Sequence, residues 1–424
     1  MLGAYFSSKT LTTNSYLLTG LRYKNNSSLL SRQDDKGTYA PNFMDAQVIY
    51  HQDLSSRVGV NLLASFNSGT FKLTPESRET QFGTSSTLMK LQTDYAGQEI
   101  DDYQTAGAAV TLSYTPQSTS VFKWINSYFT TLERERIDIE GRYVLSGRNG
   151  SLEDLTDEEG NTNSTIGGYA NYARNNLESR YFSSELKLDK YYNSHTFSAG
   201  WRFEQKKYDD ELYEYSLIDS GEDVSQGGTV NYYQDNLIDV QNRLTIRYYT
   251  GYIQDSYQIS ANTDLQLGVR TNYNSLSNQF LVSPRLLMAY RPESNTKIFR
   301  FSAGIYQQAP DYRSIRGFDG RLQLNQKAQR SYNTSVGLDY AFDGLGTRLK
   351  FTSELYFKYQ DRLIPYMMDN VRIKYLAGEV AQGYTYGTDF TIGGEFVKDL
   401  LSYFRISFMK SNGLTFSLYF YKKI

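Results

Sequence analysis

The chain has 424 residues, a net charge of -2, no cysteine and two histidines. That balance leaves no electrostatic footprint for nucleic acid, and the missing cysteines exclude a disulfide framework or a thiolate metal site. No apolar run reaches the ~18 residues of a transmembrane helix. The 39 tyrosines and 23 phenylalanines suit strands and membrane interfaces. A mean hydropathy of -0.56 is compatible with a membrane barrel, because a barrel strand needs apolar residues on one face only.

Met1-Leu2-Gly3-Ala4-Tyr5 has neither a basic segment nor an apolar stretch with a cleavage site. A bacterial outer-membrane protein needs a signal peptide, so either a barrel reading is wrong or the chain is an internal piece of a longer protein. A first, irregular strand is expected near 13–23. Val58, Val60, Leu62, Ala64 and Phe66 then oppose Gly59, Asn61, Ser65 and Asn67, with Leu63 an exception. Phe182, Leu186 and Leu188 oppose Ser183, Glu185, Lys187 and Asp189. Phe197, Ala199, Trp201 and Phe203 oppose Ser198, Gly200, Arg202 and Glu204. Leu265, Leu267 and Val269 alternate with Gln266, Gly268 and Arg270, and Phe299, Phe301, Ala303 and Ile305 with Arg300, Ser302, Gly304 and Tyr306. The clearest strand runs from Thr347 to Lys358: Leu349, Phe351, Ser353, Leu355 and Phe357 on one face, charged and polar residues on the other. Side chains alternate across a strand, so each strand has one oily and one wet surface.

The gaps between strands alternate in length. Short ones fall at 53–56, 116–119, 193–194, 260–262, 292–295, 343–346 and 398–400; long polar stretches occupy 134–178, 208–242, 309–328 and 361–381. Tight turns at one end and large loops at the other are the pattern of an outer-membrane barrel, with periplasmic turns and extracellular loops. The predicted fold is all-β: a single antiparallel transmembrane β-barrel domain over 1–424, partial, with about 15 strands of a larger barrel.

Particular residues carry a family resemblance. Tyr252-Ile253-Gln254-Asp255-Ser256-Tyr257, Ser283-Pro284-Arg285 with Arg291-Pro292, and Gly304-Ile305-Tyr306-Gln307-Gln308-Ala309-Pro310-Asp311-Tyr312 follow one another. After them come Glu354-Leu355-Tyr356-Phe357-Lys358, Leu363-Ile364-Pro365-Tyr366, Asn370-Val371-Arg372 and Gly387-Thr388-Asp389-Phe390. This ordered succession resembles the barrel of TonB-dependent outer-membrane receptors, in the style of Bacteroidetes-type bacteria. The resemblance covers 1–410; the tail 411–424 departs from it. It implies a barrel around an N-terminal plug, in the outer membrane of a Gram-negative cell. It further implies energy-coupled uptake of a nutrient such as a metal chelate, cobalamin or glycan. The partners it implies are outer-membrane lipid, an extracellular nutrient ligand, and the inner-membrane TonB complex through a plug and TonB box that these residues do not resemble. Cofactors: none are implied. A passive pore or adhesin barrel is the alternative, and a soluble β-rich binding protein a third reading.

Candidate substrate contacts are Tyr306, Tyr312, Arg313 and Arg316 around one long loop, and Tyr366 and Arg372 in the next, with Tyr375 beside them. Tyrosine offers a flat amphipathic contact and arginine a fork for carboxylate or phosphate; the competing reading is that they pack the loops against the barrel rim. Glu153, Asp154, Asp157, Glu158 and Glu159 offer carboxylates for calcium, but their spacing fits no EF-hand, and a solvated loop is preferred. Asp209, Asp210 and Glu211 are read as solvated too. Arg202, Glu204, Arg300, Lys350 and Glu354 are expected to pair across strands on the wet face. His51 and His195 are read as surface residues, outside any catalytic or metal set, and no enzymatic activity is expected.

Overall fold

The computed structural model describes residues 2–9, 14–26, 37–84, 87–148, 161–219, 233–293, 296–344, 346–369, 372–397 and 400–415. In chain order the strands begin with β1 (Leu2–Lys9), β2 (Ser15–Asn25), β3 (Gly37–Tyr39), β4 (Asn42–Asp53), β5 (Val58–Pro75), β6 (Arg78–Thr84) and β7 (Thr87–Gln117). Next are β8 (Ser120–Arg148), β9 (Asn161–Tyr192), β10 (His195–Asp219), β11 (Tyr233–Ser260), β12 (Thr263–Asn274) and β13 (Gln279–Tyr290). The last are β14 (Lys297–Gln308), β15 (Gln329–Gly344), β16 (Thr347–Leu363), β17 (Tyr366–Asp369), β18 (Arg372–Tyr375), β19 (Ala381–Val397) and β20 (Leu400–Thr415).

Eighteen strands join in one sheet, and β17–β18 form a separate hairpin. β3 and β6 are short and pair only with the upper ends of β5 and β7. The other sixteen form an antiparallel meander, each paired with the next. β1 precedes the strand expected first, so the meander has one strand more than the alternation showed. The sheet is not closed: among the described residues, β1 and β20 carry its two outer edges. In the tail, 411–415 continue β20 in register with β19, and 416–424 lie outside the described residues.

The short turns line one rim. Each hands a backbone hydrogen bond to the next: Asp53 N to Asn14 O at 2.9 Å, Thr115 to Arg57 at 2.8 Å, Tyr191 to Thr119 at 2.9 Å. Gln258 to Ser194, Arg291 to Asn262 and Ala341 to Thr296 continue the series. At the opposite rim the structure corrects two expected loops. Most of 134–178 and 208–242 is strand, because β8 continues to Arg148 and β10 to Asp219. Above a membrane both faces are wet, so the oily alternation stops while the backbone ladder continues.

The outer face is apolar. Val60, Leu112, Trp124, Leu186 and Trp201 stand opposite one another across β5, β7, β8, β9 and β10. Aromatic rows bound this band. Near the turns, Tyr114 stacks with Phe122 and Tyr290 with Phe299. At the upper edge Phe182, Phe203, Tyr249 and Tyr273 run ring to ring at 5.3–6.3 Å, and Phe280 stands opposite Tyr273. From Phe280 to Tyr290 is about ten residues, roughly 34 Å of strand. Tilted by ~40°, that spans the ~25 Å apolar height of an outer-membrane barrel. Leu63, the exception to the alternation, meets Ile49 on the inner face, and Ile49 meets Leu18.

Candidate functional site

The inner face carries the charges. Arg202 pairs with Glu185 and Glu204 at 3.4 Å each; Asp339 receives Arg300 at 3.0 Å and Lys350 at 3.4 Å. Arg202–Glu185, Arg300–Asp339 and Lys350–Asp339 are the cross-strand pairs expected for the wet surface, while Arg202–Glu204 runs along β10. His51 and His195 sit at the short-turn rim. His51 stacks on Tyr16, and His195 on Tyr257 at 4.3 Å, with its Nδ1 2.8 Å from Asp255.

The 309–328 segment forms a strap folded onto the inner face. A 3-10 turn, Arg313–Ile315, opens it. The Asp311 carboxylate accepts from the Ser314 backbone N–H at 2.8 Å. Gly317 N donates to Arg321 O and Gln323 N to Ile315 O, closing a small loop on itself. At Gly320 (φ +77°) a Cβ would lie 2.9 Å from Ile238 and 3.1 Å from Leu212. Glycine therefore serves both the left-handed backbone and the close approach to the wall. The Gly320 carbonyl accepts from Asn242 Nδ2 at 2.8 Å.

Asp210, on the inner side of β10, is the anchor. It is 1% exposed, and its Oδ2 accepts from the Tyr312 hydroxyl at 2.6 Å and from Arg316 Nη1 at 3.0 Å. Tyr312 is 2% exposed and stacks on Tyr208 at 4.6 Å. Arg313 reaches sideways to Glu133 on β8. Ile315 is fully buried. The reading of Asp209, Asp210 and Glu211 as a solvated loop is thus wrong for Asp210: it lies in a strand whose inner face the strap covers. Asp209 instead meets Arg243 at 3.4 Å.

Further contacts fix the strap's far end. Gly378 N donates to Gln326 Oε1 at 2.7 Å, and Ala328 N to Gln279 Oε1 at 2.8 Å. Within the expected loop 361–381, β17 and β18 form a hairpin, and β18 touches the 3-10 turn. Of the six candidates, then, Tyr312, Arg313 and Arg316 share the strap, and two of these use their polar ends on Asp210. Tyr306 lies apart on the inner face of β14, with the Arg285 guanidinium 4.6 Å above its ring. Tyr366 is exposed on the hairpin, edge-on to Tyr375 at 6.1 Å. The Arg372 side chain lies outside the described residues, as does the acidic loop of Glu153, Asp154, Asp157, Glu158 and Glu159. A different acidic group stands on the inner wall, where Glu99, Asp101 and Glu135 bring oxygens within 4.8 Å of one another. Glu133 and the exposed Phe318 at the strap's tip are not singled out by the sequence, and Asp210 is read there only as solvated. The apolar Tyr312 and Ile315 inside a polar stretch were the one available signal.

Burial, then the bond to Asp210, pushes the Tyr312 hydroxyl well above its ordinary value of 10.0. The docked strap therefore holds this proton more tightly than the free strap does. Its stabilisation is complete below pH ~10 and is lost as pH rises beyond that. A fluorophore on a single cysteine at exposed Asp319 should emit constantly from about pH 6 to 9 and shift above ~10. Tyr312→Phe should abolish the transition, and a midpoint below pH ~9 would contradict the assignment.

An open antiparallel sheet with an apolar outer band, a charged inner face and an inward strap has the fold of the large outer-membrane receptor barrels. No protein-family model and no curated protein matches the sequence. Solved structures do match. The FpvAI–pyocin S2 complex aligns with a TM-score of 0.58 and 13% identity over 98% of this chain and 57% of that one. The RagAB peptide transporter aligns at 0.56 and 11%, over 99% and 51%. The siderophore receptor PirA from Pseudomonas aeruginosa aligns at 0.51 and 12%, over 95% and 68%. At these identities the likeness is one of fold. The chain spans between half and about two thirds of the length of these structures. PirA is a siderophore receptor and RagAB a peptide transporter.

Proposed function

We propose that the chain is the barrel portion of a TonB-dependent receptor in the outer membrane of a Gram-negative cell. There it takes up a scarce nutrient such as a metal chelate, cobalamin or glycan. The observation that carries this reading is the likeness of the whole sheet, with its apolar outer band and charged inner face, to the siderophore receptor PirA and the RagAB peptide transporter. Tyr306, Arg313, Tyr366 and Arg372 contact the ligand. Tyr312 and Arg316 hold the strap that presents it. Coupling to the inner-membrane TonB complex runs through a plug and TonB box, which the 424 residues do not resemble.

Deleting the gene in its host should abolish protonophore-sensitive uptake of one such ligand class, and the intact gene should restore it. Tyr306→Ala or Arg313→Ala should raise the half-saturation concentration about 5–30-fold, the range of a modest hot spot. Uptake indifferent to the protonophore, with many unrelated solutes slowed together, would favour a pore instead.

A further inference from the structure

Directly above the upper aromatic row, the outer face becomes cationic. Arg180 stands opposite Lys207 across β9 and β10, and Gln205 opposite Arg247 across β10 and β11. All three basic residues are exposed. Glu178 holds Arg180 at 2.6 Å, and one step further up Asp209 meets Arg243 at 3.4 Å. Lys207 and Arg247 form no ion pair among the described residues, and Arg247 touches only Gln205 with its side chain, at 3.4 Å. Below the aromatic row, on the same strands, lies an apolar groove of about 870 Å³. Trp124, Leu186, Trp201, Ile253 and Val269 wall it. Gly251 stands opposite Trp201 and leaves the space beside the indole unfilled.

We propose that this face of β8–β12 binds a membrane lipid whose phosphorylated headgroup carries a net negative charge, its phosphate on Lys207 and Arg247 and an acyl chain in the groove. The order of the rows makes the case. Acyl chains, interfacial aromatics and headgroup phosphates succeed one another along a membrane normal, and groove, ring row and cation row succeed one another here. Basic residues at a membrane surface attract anionic lipid. A protein partner on this face would give no reason for the cations to begin one step above the rings. The proposal rests on the membrane-barrel reading of the outer face, and not on transport.

The chain's two tryptophans both line the groove, so they report on its occupant. The full chain, purified in dodecyl maltoside, is titrated with brominated phosphatidylglycerol and, separately, with brominated phosphatidylcholine of the same acyl chains. The phosphatidylglycerol should quench at a mole fraction lower by about fivefold for each basic residue engaged. K207Q/R247Q should remove that preference while leaving quenching itself intact. Glu178→Gln, which frees Arg180, should enlarge it and serves as an independent variant. Equal quenching by the two lipids, or a preference that survives K207Q/R247Q, would overturn the headgroup site while leaving the barrel reading standing. Quenching by neither lipid would overturn both.

Discussion

Replacing Asp210 by alanine should free the strap. The carboxylate is 1% exposed and accepts from both Tyr312 and Arg316. Its removal leaves a buried hydroxyl and a half-buried guanidinium with no acceptor at that point. Breaking a buried ion pair from one side costs about 3–5 kcal/mol, a hundredfold or more in the docking equilibrium. Tyr312→Phe removes one bond to a charged group and should cost about 1.5–3 kcal/mol. Exchange of strap amides reports local opening. Peptides covering 310–316 should lose roughly a hundredfold of protection in Asp210→Ala, and less in Tyr312→Phe. Peptides from β14 and β15 should be unchanged, because their ladders do not pass through Asp210. Unchanged strap protection in Asp210→Ala would mean that the apolar contacts of Ile315 and Pro310 dock it alone.

The second large effect is expected on the outer face. Leu355 is 57% exposed and lies midway along β16 between Phe351, stacked on Phe390, and Tyr359, stacked on Tyr332. That places it near the centre of the apolar band. Arginine there should destabilise a lipid-inserted barrel by about 2–4 kcal/mol. Thr352, opposite Asp339 on the inner face, should accept arginine with much less loss. Urea unfolding in lipid vesicles measures both, and equal losses would mean that the two faces are assigned wrongly.

What the sequence revealed, and what it hid, follows from where hydrocarbon acts. The strands around Phe197–Trp201 and Leu349–Phe357 were legible because one face meets lipid and the other water, which forces a period of two. The upper halves of β8 to β11 have water on both faces. Arg174 pairs with Asp138, and Arg136 with Asp102, on the outer side, so the stretch reads as polar loop although its ladder is continuous. β1 was missed because Leu2–Lys9 is short and ends in Ser7-Ser8-Lys9, with little alternation. The strap was recognised as a loop carrying Tyr312, Arg313 and Arg316, but not its inward fold. Its anchor at Asp210 lies 102 positions away, and no local pattern joins the two. Lumen pairs such as Arg300–Asp339 were legible in kind, since charges facing one another across a wet sheet find partners.

The central claim is that the sheet presents one face to lipid and the other to water. The chain has no cysteine, so single cysteines at each position from 351 to 357 can carry a spin label in vesicles. Collision with oxygen, which concentrates in hydrocarbon, is compared with collision with a water-soluble nickel chelate. The account predicts oxygen-dominated signals at Phe351, Ser353, Leu355 and Phe357, and nickel-dominated signals at Thr352, Glu354 and Tyr356. Nickel-dominated signals at all seven positions, with no period of two, would contradict it.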